Sequence, residues 1–324
     1  MSLKNKEKAQ PRRLSPRNKG QLPLGTRIVR DFKQNYFKYL LIVPVMVWLI
    51  LFCYKPMYGV LIAFQDYRPR LGFLGSKWIG FENFRRFFSD PFFGRVLRNT
   101  LTISISTIFF SFPVPIILAL LLNEVKATWF KRIAQTVTYL PHFIALVVVC
   151  AMVSQFVQTD GIINDIIELF GGERRNLLSE QNAFIPIYIV SGLWKEMGWN
   201  SIIYLAALSS IDQEQYEAAK IDGAGRLQQM LHITLPGLLP TISLLLIMKL
   251  GTVMSVGYEK ILLLYQPLTY EVADVISTYS YRKGILGNSF SYGTAIDLFN
   301  SVVNIIVLTV SNKLSKKFGQ SGLF

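Results

Sequence analysis

Three ionisable residues interrupt long apolar runs: Lys195 and Glu196 in the middle of one, and Lys249 near the middle of another. Placing such a charge at bilayer depth costs roughly 2.5–3.5 kcal/mol, so these side chains should face a bundle interior or a wet cavity. Two readings fit them. In one, Lys249 and Glu196 form a buried pair that locks two helices together. In the other, they line a solute path with Trp194, Trp199, Asn200 and Ser255, because aromatic faces and hydrogen-bonding groups together suit a sugar. An unpaired Lys249 would favour an acidic oligosaccharide such as a uronide. His142 and His232 are far apart in sequence and suggest no metal cluster. The chain contains no Gly-Lys dipeptide and hence no Walker A loop, and no Gly-x-Ser-x-Gly elbow. No two carboxylates pair convincingly for glycoside hydrolysis. These residues do not describe an enzyme.

A second constellation is polar and lies between two apolar runs, at residues 212–240. Asp212 reads as an N-cap with Gln215 as its capping-box partner. Glu217, Ala218, Ala219 and Lys220 are good helix formers, and Gly223 is a natural stop. Leu227, Met230 and Leu231 give a second short amphipathic run, and Pro236 then opens the next apolar span. A helix–Gly–helix at a membrane surface suits docking.

The elements that must carry these residues follow from composition. Of 324 residues 51% are hydrophobic and 17% charged, with mean hydropathy +0.35, well short of the usual charged fraction of about one quarter. Apolar runs are expected to span at about 39–63, 97–122, 133–157, 184–209, 236–257 and 294–311, which predicts an all-α, polytopic membrane protein with six transmembrane helices. Residues 1–38 hold eleven Lys/Arg against Glu7 and Asp31. A basic arm beside a first span is the positive-inside signature, preferred here over nucleic-acid binding. Six spans then place both termini and residues 210–235 in the cytoplasm. The expected organisation is a basic cytoplasmic tail at 1–38, a first span with an external loop at 39–95, a transmembrane core at 96–312 and a cytoplasmic tail at 313–324. Cys53 and Cys150 fall within apolar runs, so no disulfide framework is expected.

Glu217-Ala218-Ala219, three residues, Gly223, nine residues, Ile233, one residue and Leu235-Pro236 together resemble the EAA loop of type I ATP-binding-cassette importer permeases. Asp222 and Ala224 flank the glycine in the same pattern. The runs Gly192 to Asn200, Tyr204 to Ala207 and Ala273 to Ile276 resemble the carbohydrate branch, particularly permeases for complex oligosaccharides. The resemblance covers residues 35–317. It implies a MetI-like fold and a bacterial cytoplasmic (inner) membrane location. It also implies a permease subunit pairing with a second, usually different, permease, two ATPase subunits and an extracytoplasmic solute-binding protein. No cofactor is expected on this chain; ATP and Mg would be used by the partner ATPase. The 212–236 loop would act as the coupling element, with Ala218 and Ala219 permitting close approach, Glu217 offering a carboxylate and Gly223 setting an angle. Mono- or disaccharides are the alternative cargo, and an ion-coupled secondary sugar transporter the alternative mechanism.

Overall fold

The computed structural model describes residues 24–317, 319, 322 and 323. It divides into two compact units, at Tyr58 and Gly59. Most of the expected basic tail, residues 1–23, lies outside the described residues; from Leu24 on, that stretch is helix. In the first unit, helix Leu24–Trp48 runs into a widened turn, Leu49–Tyr54. There the Lys55 N–H reaches back five residues to the Ile50 carbonyl, just ahead of Pro56, which has no N–H to offer. Asn35 breaks the helical dihedrals (φ −120°), and Asp31 spans that kink by accepting from Asn35 Nδ2 at 2.8 Å and Tyr39 Oη at 2.5 Å.

The second unit opens with a two-residue antiparallel ladder, Gln65–Asp66 against Lys77–Trp78, which the all-helical reading did not anticipate. Asn83, buried in the short helix Glu82–Phe88, donates to the carbonyls of Ala63 and Gln65 and holds this ladder in place. The chain is otherwise predominantly helical, as expected. Among the described residues five helical runs are long and apolar enough to cross a membrane: Asp31–Phe64, Phe93–Glu124, Leu146–Leu169, Arg226–Leu250 and Phe290–Lys317. Helix Gln181–Leu208 has 28 residues, about 42 Å at 1.5 Å per residue. It is long enough for the sixth, but Lys195, Glu196 and Asn200 lower its hydropathy.

Three boundaries differ from the sequence-based expectation. The third span is not continuous. Helix Thr128–Tyr139 gives way to a 3-10 turn, Leu140–Phe143, and a new helix starts at Leu146, because Pro141 supplies no N–H and cannot continue the α-helical ladder. The fifth begins earlier: helix runs without interruption from Arg226 through a widened turn at Met230–Thr234 into Leu235–Leu250. In that turn the Leu235 N–H bonds to the Met230 carbonyl, which admits Pro236 without ending the helix. The same helix stops at Leu250, so Lys249 lies in its last turn rather than mid-span, and Ser255 falls beyond it in a turn.

Helix Gln181–Leu208 is central to this unit, packing against Phe93–Ser111, Pro113–Glu124, Thr128–Tyr139 and Leu235–Leu250. Phe184, Tyr188 and Ile189 at one end join a core with Ile103, Cys150 and Ile261. Tyr204 and Leu208 at the other join Ala119 and Leu238. Gly198 lets the 128–139 helix approach closely, since a Cβ there would collide with the Thr138 carbonyl. Replacing Gly198 by Val should therefore push the two helices apart and destabilise the fold by about 1–3 kcal/mol. A lowered melting midpoint of the detergent-solubilised protein is the expected outcome; an unchanged midpoint contradicts this close contact.

Candidate functional site

The interrupting charges find their partners at the break in the third span. Lys195 Nζ donates to the His142 carbonyl at 2.7 Å and the Ile144 carbonyl at 3.0 Å, two acceptors that the 3-10 turn leaves without helical partners. His142 Nδ1 lies 2.9 Å from Glu196 Oε2. An ionised carboxylate can only accept, so the ring nitrogen is the donor. Lys195 Nζ is also 3.7 Å from Glu196 Oε1. The His142 ring stacks in parallel on Trp199, with centroids 4.4 Å apart. Glu196 is thus paired with His142 and not with Lys249, so of the two readings of these charges the helix-locking Lys249–Glu196 pair is not the one formed.

A cavity of about 400 Å³ opens beside this cluster. Glu196, Asn200 and Lys249 line it, with Tyr188, Gly192 and Lys260. Trp194, Lys195 and Trp199 do not line it; both tryptophans are partly exposed, Trp199 with one face against His142. Ser255 lines a smaller neighbouring cavity of about 190 Å³, whose wall shares Thr107, Tyr188 and Lys249 with the first. Ser255 Oγ accepts from Asn304 Nδ2 at 2.9 Å. Thr107 Oγ1, on the shared wall, is buried without a hydrogen-bond partner among the described residues.

Lys260 was not expected here. It sits in the short helix Tyr258–Leu264, outside the spanning runs, and is only 9% exposed. Its Nζ donates to the Tyr188 carbonyl at 2.5 Å and lies 4.4 Å from the centre of the Tyr188 ring. Burial pushes the Lys260 ammonium down, to about 8, while Cys150 and Glu196 act in the opposite direction. Nothing in the sequence separates Lys260 from an ordinary loop lysine; a fold is needed to bring it to Tyr188.

The polar segment is folded by its own residues. Asp212 Oδ1 accepts from the Glu214 N–H at 3.0 Å and caps helix Gln213–Ile221, while Gln215 makes no capping-box bond there. At the other end the Ala224 N–H bonds to the Ala219 carbonyl and the Gly223 N–H to the Lys220 carbonyl, with Gly223 at φ +78°. This pair of bonds is a Schellman stop, and its left-handed position favours glycine. Tyr216 Oη then bonds Thr234 Oγ1 at 2.9 Å, tying the short helix to the run that contains Ile233, Leu235 and Pro236. Glu217, Ala218 and Asp222 are exposed, and Ile221 is 87% exposed. An apolar side chain that open, beside two small alanines and a free carboxylate, is a surface suited to being covered.

Residues 111–317 match the family described as binding-protein-dependent transport system inner membrane component. The polygalacturonan/rhamnogalacturonan transport system permease protein YteP of Bacillus subtilis (strain 168) is 45% identical over 92% of this chain and 93% of its own length. Protein LplB of the same organism is 46% identical over 93% of this chain and 95% of its own. A crystal structure of a bacterial alginate ABC transporter, in complex with an alginate pentasaccharide-bound periplasmic protein, contains a chain of similar fold. It aligns with a TM-score of 0.85 and 41% identity over 92% of this chain and 100% of that one. The chain therefore belongs to the binding-protein-dependent transport system inner membrane component family, as a permease subunit of an ATP-binding-cassette transporter and not as an enzyme.

Proposed function

We propose that this permease carries acidic oligosaccharides, chains that bear sugar carboxylates, through the cavity beside the 181–208 helix. The observation that carries the reading is the cavity wall itself. Lys249 and Lys260 line it and form no ion pair among the described residues, while Asn200, Tyr188 and Thr107 add hydrogen-bonding groups and an aromatic face. A sugar acid presents hydroxyls, an apolar ring face and a carboxylate, which matches that set group for group. The relatives named above for polygalacturonan/rhamnogalacturonan and alginate transport support the same class of cargo.

On this reading the chain pairs with a second permease, two ATPase subunits and an extracytoplasmic solute-binding protein in the bacterial inner membrane. Both of its termini are cytoplasmic. Glu217, Ala218, Ala219, Asp222, Gly223 and Ala224 form the face seated on an ATPase. Ile233, Leu235 and Pro236 carry its motion into the 226–250 helix. ATP and Mg are bound by the ATPase partners. The whole complex in proteoliposomes, with its binding protein and ATP, should take up labelled oligogalacturonate and stop when ATP is withheld. Uptake driven by an ion gradient without ATP would overturn the reading, as would import of neutral mono- or disaccharides only.

Two sets of variants test the parts separately. Lys249→Met should lower uptake of the acidic oligosaccharide about tenfold, the scale of one lost charge-assisted hydrogen bond, with the ATPases still co-purifying. Unchanged uptake removes Lys249 from the path. Glu217→Lys reverses the charge of an exposed side chain, and Gly223→Pro forces a left-handed position to negative φ. Each should leave ATP hydrolysis uncoupled from uptake while the melting midpoint stays near that of the wild type. Normal coupling in both would reduce the segment to a surface helix.

A further inference from the structure

Two buried charged residues outside the His142–Glu196 cluster are treated very differently by their surroundings. Asp274, fully buried, is held by Arg282 Nη2 at 2.5 Å and by Thr278 Oγ1 at 2.9 Å, with Arg95 at 3.7 Å. Lys260, almost as buried, has a backbone carbonyl and a tyrosine ring and no carboxylate within ion-pair distance among the described residues. An ammonium carries three donors, and the Tyr188 carbonyl takes one. Leaving a buried charge in that condition is unfavourable unless something else completes its shell. The cavity wall is where the completing group must come from, because Lys260 lines it together with Glu196 and Lys249.

Gly192 makes the arrangement sterically workable. A Cβ at that position would lie 3.0 Å from Lys260 Nζ, so the absent side chain leaves the ammonium its place against the 181–208 helix. The Tyr188 ring, 4.4 Å beneath, attracts the cation without neutralising it. The site is thus a nearly buried ammonium held against the 181–208 helix and lining the cavity.

We propose that Lys260 is the charge-selecting residue of the cavity, its ammonium taking a sugar carboxylate so that acidic oligosaccharides are favoured over neutral ones of equal length. This rests on the reading of the cavity as the oligosaccharide path. A merely structural Lys260, clamping helix Tyr258–Leu264 to Tyr188, would affect every cargo alike. The test uses the whole complex in proteoliposomes with its binding protein loaded to saturation. Uptake rates are compared for oligogalacturonate and for its fully methyl-esterified form, which keeps length and shape but loses the charge. Lys260→Met should lower the acid-to-ester uptake ratio about tenfold, and Lys260→Arg should retain most of the preference. Gly192→Ala, which displaces the ammonium without removing it, should lower the ratio in the same direction. Assembly of each variant is checked by gel filtration of the complex, so a folding defect is seen as such. An unaltered ratio in Lys260→Met and Gly192→Ala overturns the assignment, as does an equal fall for both sugars. If the wild-type complex imports neither sugar, the oligosaccharide reading falls first and this assignment with it.

Discussion

The structure turns on how the dipeptide Lys195-Glu196 is satisfied in the middle of a 28-residue helix. Either side chain alone would be unfavourable against lipid or an apolar neighbour. A broken helix alone would leave carbonyls without donors. The two defects answer each other. Pro141 stops the ladder, Lys195 Nζ donates to the carbonyls of His142 and Ile144, and Glu196 Oε2 accepts from His142 Nδ1. Gly198 brings the 128–139 helix close enough for these bonds to be made. The remainder of the second unit packs around the helix fixed in this way, and the cavity is the space left on its other side.

The polar segment gains its mechanical meaning from continuity. Had Pro236 ended the preceding helix, a hinge would separate the segment from the cavity. Instead the turn at Met230–Thr234 widens, the proline is absorbed, and helix runs from Arg226 to Leu250. The Schellman stop at Gly223 and the Tyr216–Thr234 bond fasten the short helix to that run. Lys249 sits in its last turn, on the cavity wall. On the proposed reading a force applied at Glu217 reaches Lys249 through packed helix, the kind of rigid element that carries domain motion.

Local signals were legible in the sequence and tertiary ones were not. Asp212 and Gly223 were readable because a cap and a left-handed stop depend on a few neighbouring residues. The apolar runs were readable from hydropathy, the charged one at 184–209 included, but the break at Pro141 and the ends of the fifth run were not. The partner of Glu196 stayed open between Lys249 and a cavity-facing role, because sequence shows only that a carboxylate inside an apolar run needs a donor. Lys249 and His142 were equally available at that level, and the choice depends on where Pro141 breaks its helix. Trp194 and Trp199 were grouped with Asn200 by proximity in sequence, but which residues line this cavity depends on how the neighbouring helices pack, which sequence does not give. Lys260 was invisible for the same reason: its neighbours Tyr188 and Gly192 lie some seventy residues away in the chain.

The distribution of ion pairs supports separating framework from path. Several charges are paired: Arg95 and Arg98 meet Glu271, Arg282 meets Asp274, and Arg174 in the loop after helix Ile162–Leu169 meets both Asp165 and Glu168. Asp90 accepts from Tyr279 Oη and Tyr292 Oη, so even a lone carboxylate near the start of the 93–111 helix is satisfied. Among the described residues Lys249 and Lys260 have no carboxylate partner within ion-pair distance on one cavity wall, with Glu196 already engaged by His142. A pair that existed only for stability could be replaced by apolar packing at little loss. On the proposed reading, the charge that compensates the buried Lys260 ammonium arrives with the cargo and leaves with it.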